Sequence, residues 1–167
     1  MQPGSHRLRR ALALTAAACG IAATAGILTP PAASAASPDV VVSEVYGGGG
    51  NTGAPYANDY VELYNRGASS VSLSGWSVQY ASASGTTYLV TALSGSIASG
   101  GHYLVKGASG GSGGAALPTA DATGTTNMSA TAGKVALVTS TTALTCGLSC
   151  HAAAGVKDFV GYGAAND

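Results

Sequence analysis

Charge is scarce in this chain. Charged residues make up 8% of its 167 positions, against about 25% in an average soluble domain. Lys and Arg (7) balance Asp and Glu (7) over the whole chain. Residues 37–167 keep only four bases, Arg66, Lys106, Lys134 and Lys157, against all seven acids, a net charge of −3. A phosphate-binding groove needs clustered Lys and Arg to displace counterions, so no nucleic-acid binding is expected. Aromatics are also sparse at 6%, with one Trp, one Phe and eight Tyr. A sustained 3.6-residue period is missing beyond the N-terminal segment, which excludes a coiled coil. Glycine, by contrast, is abundant at 25 residues. With Ser, Thr and Val it gives the composition of a small extracellular β protein.

The N-terminus reads as an export address. Arg7, Arg9 and Arg10 precede an uncharged apolar run from Ala11 to Leu28, then Pro30-Pro31 and the small residues Ala32-Ala33-Ser34-Ala35-Ala36. A basic region, an apolar core and an A-x-A-like site define a secretory signal peptide. The expected mature chain starts at Ala36 or Ser37, with no retained membrane span. The division is therefore 1–36 signal peptide and 37–167 one domain, secreted and extracellular. Arg9-Arg10 leaves the twin-arginine route open beside the general one. Cys19 lacks the upstream Leu of a lipoprotein cysteine.

The rest of the chain reads as strands. Runs at 40–46, 60–64, 70–73, 76–80, 87–91, 102–106, 134–139 and 157–162 are β-branched or alternating, and Gly and Ser punctuate them. This spacing suggests a sandwich or barrel, and one core between two sheets suits the length. Val61 and Leu63 share one face, with Glu62 on the other. Trp76 is expected as a core anchor. Gly107–Gly114 reads as a flexible loop. Cys146 and Cys150 form an even pair, which in an exported protein points to a disulfide. A zinc site would need more ligands than these two and the adjacent His151.

Three stretches carry a family resemblance: Val42-Ser43-Glu44-Val45-Tyr46-Gly47-Gly48-Gly49-Gly50-Asn51, Asn58-Asp59-Tyr60-Val61-Glu62-Leu63-Tyr64-Asn65 and Leu73-Ser74-Gly75-Trp76-Ser77-Val78-Gln79-Tyr80. Together they resemble the lamin-tail domain of secreted bacterial proteins. The resemblance continues through Gly133-Lys134-Val135-Ala136-Leu137-Val138 and Asp158-Phe159-Val160-Gly161-Tyr162-Gly163. It implies an all-β, immunoglobulin-like β-sandwich, and the Cys146/Cys150 pair is similar to a recurrent feature of the bacterial subgroup. The implied function is a non-catalytic module that binds or targets to a surface, a polysaccharide or other polymer, or a partner protein. The alternative is an N-terminal accessory domain of a secreted endonuclease/exonuclease/phosphatase-type hydrolase. Similar chains continue past Asp167, so a missing terminal strand or domain is expected, with one sheet edge unpaired. A third reading is an envelope protein without a ligand, distinguished by the absence of an exposed Tyr cluster.

Catalytic motifs are weak. Gly48-x-Gly50-x-x-Gly53 matches a dinucleotide fingerprint, but a strand follows where a helix is required. Gly107-Ala108-Ser109-Gly110-Gly111 and Gly110-Gly111-Ser112-Gly113-Gly114 match a nucleophile elbow inside one low-complexity loop, with no helix after it. No catalytic residue, cofactor site or metal set is therefore assigned. Glu44, Asp59 and Glu62, with carbonyls of the Gly47–Asn58 loop, offer oxygens suited to a weak extracellular calcium site. The favoured reading is that Glu44 and Glu62 face outward while Asp59 satisfies backbone donors. Tyr46 and Tyr56 flank that same loop, where aromatics serve either stacking on sugars or docking on partners. The favoured reading is that Tyr fills half-buried strand positions.

Overall fold

A computed structural model describes residues 37–167; the signal-peptide expectation lies outside them. No helix among the described residues is long and apolar enough to cross a membrane. Ten strands form: β1 (Val40–Tyr46), β2 (Tyr60–Asn65), β3 (Val71–Ser72), β4 (Ser77–Ser82), β5 (Leu89–Ala92), β6 (Ser96–Ile97), β7 (His102–Lys106), β8 (Ala122–Thr123), β9 (Gly133–Val138) and β10 (Val156–Tyr162). One sheet has the order β1-β2-β7-β8, a second the order β10-β9-β4-β5, and β3 pairs β6 separately.

Alternation explains why these sheets face each other. Val61, Leu63, Tyr103 and Val105 point inward from β2 and β7. Val78, Tyr80, Val135 and Leu137 point inward from β4 and β9, and all eight belong to one buried cluster. Trp76 packs against that cluster, partly buried. Burial of such side chains contributes about 1.5–3 kcal/mol each before chain entropy is counted. The strands are therefore held as a two-layer sandwich.

β1 breaks alternation, and a bulge repairs it. Val42 pairs with Leu63, but Glu44 pairs with Glu62, so Ser43 is the extra residue. An extra residue shifts the facing pattern by one. Val42 and Val45 thereby both pack on the core, and both Ser43 and Glu44 are exposed.

Strand β9 is buried on both faces, since every one of its residues is buried. The segment after β9 covers its outer side. There Ser77 donates to the Ser140 carbonyl at 2.6 Å, and Gln79 donates to Thr142 O at 2.9 Å and accepts from Leu144 N–H at 2.8 Å. Tyr88, Ala81 and Cys150 form a second small cluster with Phe159 packed on it. Lys134, wholly buried, donates to Gly85 O, Gly147 O and Asn166 Oδ1 at 2.8–2.9 Å. These three acceptors match the three N–H groups of an ammonium.

Strands β1 and β10 are outer strands of their sheets. Asp158 joins them: its Oδ2 accepts the Val42 N–H at 2.7 Å. A carboxylate on a free edge donor also guards that edge against pairing with another chain.

Candidate functional site

With the outer side of β4 and β9 covered, the outward-facing residues of β1, β2 and β7 form an open face. Glu44 stands opposite Glu62, Glu62 opposite Leu104, and Tyr64 opposite His102. Tyr46 stands opposite Tyr60. Like charges directly opposed in a sheet are locally unfavourable, so each needs partners. Glu44 accepts the Tyr60 hydroxyl at 2.6 Å. Glu62 accepts the Ser43 hydroxyl at 2.8 Å and lies 2.9 Å from His102 Nδ1.

These contacts shift the titrations. Burial, followed by the hydrogen bond to Glu44 and its charge, raises the Tyr60 phenol well above its usual range. Burial alone would raise Glu62, but the bonds from Ser43 and His102 outweigh it and lower its carboxyl.

An aromatic trio forms one end of this face. Tyr46 and Tyr60 stack with ring centroids 5.2 Å apart and planes 16° apart. Tyr56 meets both edge-on, at 5.5 and 5.7 Å. Tyr56 is 37% exposed and Tyr60 8%. The Tyr56 loop is fixed by its neighbour: Ala57 N–H donates to Ala115 O and Ala115 N–H to Pro55 O, both at 2.8 Å.

The glycine run belongs to this support. Gly48, Gly50 and Gly53 all have φ near +80°, a region that favours glycine. A Cβ on Gly50 would stand 2.3 Å from Ser109 Oγ and 2.7 Å from Gly111 N. The fingerprint-like spacing is thus turn geometry beneath a loop-on-loop contact. Gly107–Gly114 is irregular as expected, but it is tied down: Gly110 N–H donates to Gly49 O at 2.7 Å and Gly113 N–H to Gly50 O at 2.9 Å. Ser109, the first elbow serine, donates to Gly111 O at 2.5 Å within that loop.

Leu117, Pro118, Thr119 and Asp121 complete a groove of about 370 Å³ that Tyr56 and Tyr60 also line, open to solvent, with Glu44, Glu62 and His102 in its lining. Its far wall is held by Asp121. Leu104 N–H donates to Asp121 Oδ2 at 2.8 Å, and Asp121 N–H donates to Leu104 O at 2.9 Å. The short β8 then pairs in parallel with β7. The wall was invisible in the sequence, because a two-residue strand gives no periodicity.

The sequence-derived carboxylate set is divided. Glu44 and Glu62 meet, while Asp59 is fully buried. Asp59 Oδ1 accepts Gly49 N–H at 2.6 Å and Oδ2 accepts Met128 N–H, so it satisfies backbone donors of two loops. No three His, Cys, Asp or Glu side chains among the described residues are arranged to hold a metal ion. Cys146 and Cys150 lie at disulfide distance, with Cα atoms 5.5 Å apart. Beside them, His151 Nδ1 lies 2.8 Å from Asp167 Oδ2.

Two facing sheets around one core define an immunoglobulin-like β-sandwich. The Lamin Tail Domain family model matches residues 33–163. The chain belongs to the lamin tail domain family. No curated protein is significantly similar to it.

Proposed function

We propose that the protein is a secreted, extracellular, non-catalytic binding module whose ligand-contacting surface is the groove between the tyrosine trio and Asp121. The observation that carries this reading is the open groove itself, in which Tyr56 and Tyr60 meet the carboxylates of Glu44, Glu62 and Asp121. Concave sites with an aromatic wall and a few convergent polar groups are where ligands bind. Targeting of an attached hydrolase would use the same surface.

The test is a binding assay of the full chain against cell-surface material, polysaccharides and secreted proteins, with the Tyr56→Ala variant in parallel. Retention that falls in the variant supports the proposal. Retention unchanged by Tyr56→Ala places binding elsewhere and overturns it.

A further inference from the structure

We infer that the groove takes an extended, Arg- or Lys-bearing segment of a partner protein. This rests on the binding reading above and names its ligand class.

Three charges decide the sign. Glu44, Glu62 and Asp121 line the groove, and neither Lys nor Arg is among its lining residues. Lys106 stands opposite Tyr60 in the sheet but outside that lining. Each carboxylate commits one oxygen to the protein: Glu44 to Tyr60, Glu62 to Ser43 and His102, Asp121 to Leu104 N–H. The other oxygen of each makes no hydrogen bond to a described residue. Opposed carboxylates with spare acceptors suit a guanidinium or ammonium, which adds charge-assisted bonds and relieves their mutual repulsion. An anionic polymer would meet only repulsion.

A sugar platform is built from exposed ring faces. Here Tyr46 and Tyr60 each cover one face of the other and Tyr60 is 8% exposed, which leaves Tyr56 as the exposed ring of the trio. The groove's remaining apolar surface, Leu104, Leu117 and Pro118, suits the methylene stems of Arg and Lys. An open groove of about 370 Å³ has room for side chains rather than one small ion.

The experiment titrates the full chain at low salt with fluorescent tri-arginine, tri-lysine and tri-glutamate peptides and with a neutral N-acetylglucosamine oligomer. Groove residues are followed by NMR. The basic peptides should bind and shift Glu62, His102 and Leu104, tri-glutamate should not, and added salt should weaken binding. The Glu44→Gln/Glu62→Gln variant keeps the acceptors for Tyr60 and Ser43 while removing charge. It should keep the parent's amide spectrum outside the groove and bind roughly tenfold more weakly. Basic-peptide binding unaffected by that variant overturns the inference. A neutral oligomer that shifts the groove while basic peptides do not overturns the inference but keeps the binding module. No shift of the groove by any surface material, polymer or peptide overturns both.

Discussion

Lys134 Nζ donates to the Gly147 carbonyl, 2.8 Å away, within the loop closed by Cys146 and Cys150. The cysteine pair thus holds an acceptor for a lysine that is entirely removed from water. Lys134→Met should keep the packing volume but leave Gly85 O, Gly147 O and Asn166 Oδ1 without their donor. Each stranded acceptor costs about 1–3 kcal/mol. Urea unfolding of the variant should show a loss of roughly 3 kcal/mol. A neutral result would mean that water enters and replaces the ammonium.

Reduction of the cysteine pair should be milder. A loop this short removes little entropy from the unfolded chain, about 2 kcal/mol in the loop-closure model. Peptide mapping of the protein under oxidising conditions should find Cys146 joined to Cys150, and a reductant should lower the melting temperature by a few degrees. Free thiols at both positions would remove the bond from this account.

Asp59 carries a larger share of the groove's support. Its two oxygens hold the backbone of Gly49 and Met128. Asp59→Ala strands both donors in a buried place and should cost about 3 kcal/mol. Asp59→Asn keeps one acceptor and should fall between. Denaturant midpoints order the three proteins, and equal midpoints would refute the role.

Stability should fall on both sides of neutral pH, for separate reasons. Burial raises the phenols of Tyr60, Tyr88 and Tyr162. Both states hold these protons below their ordinary value of 10.0. Above it the unfolded chain releases them first, so stability is lost as pH rises. On the acid side, Asp39 is lowered by its bond from Ser37 and Asp167 by bonds from His151 and Cys150 that outweigh burial. Glu62 is lowered as well. Their contribution is present above the ordinary 3.8–4.5 range and is lost as pH falls through the lower folded values. Melting temperature against pH should show both slopes. Glu44→Gln should let Tyr60 ionise at lower pH in a spectrophotometric titration.

Legibility from sequence followed the range of each signal. Strand β7 reads directly from His102-Tyr103-Leu104-Val105-Lys106, and β1 and β2 from their runs, because alternation is local. The outward placement of Glu44 and Glu62 and the backbone role of Asp59 were likewise legible. β6 and β8 were not, being two residues long. The burial of Lys134 was also hidden. By alternation it is an outward residue, and only a segment folding back from beyond β9 puts it inside. The groove's far wall depends on the same kind of remote contact, Asp121 against Leu104.

The extra residue at Ser43 separates two tasks that a regular strand would lock together. Val42 and Val45 keep the interior intact, while Ser43 and Glu44 dress the exterior. Loss of that one codon would restore strict alternation with Val42 and Val45 still facing in and Glu44 still facing out, and would remove the hydroxyl that Ser43 gives to Glu62. A residue can thus be added to or taken from the outer face of this edge strand without rewriting the core.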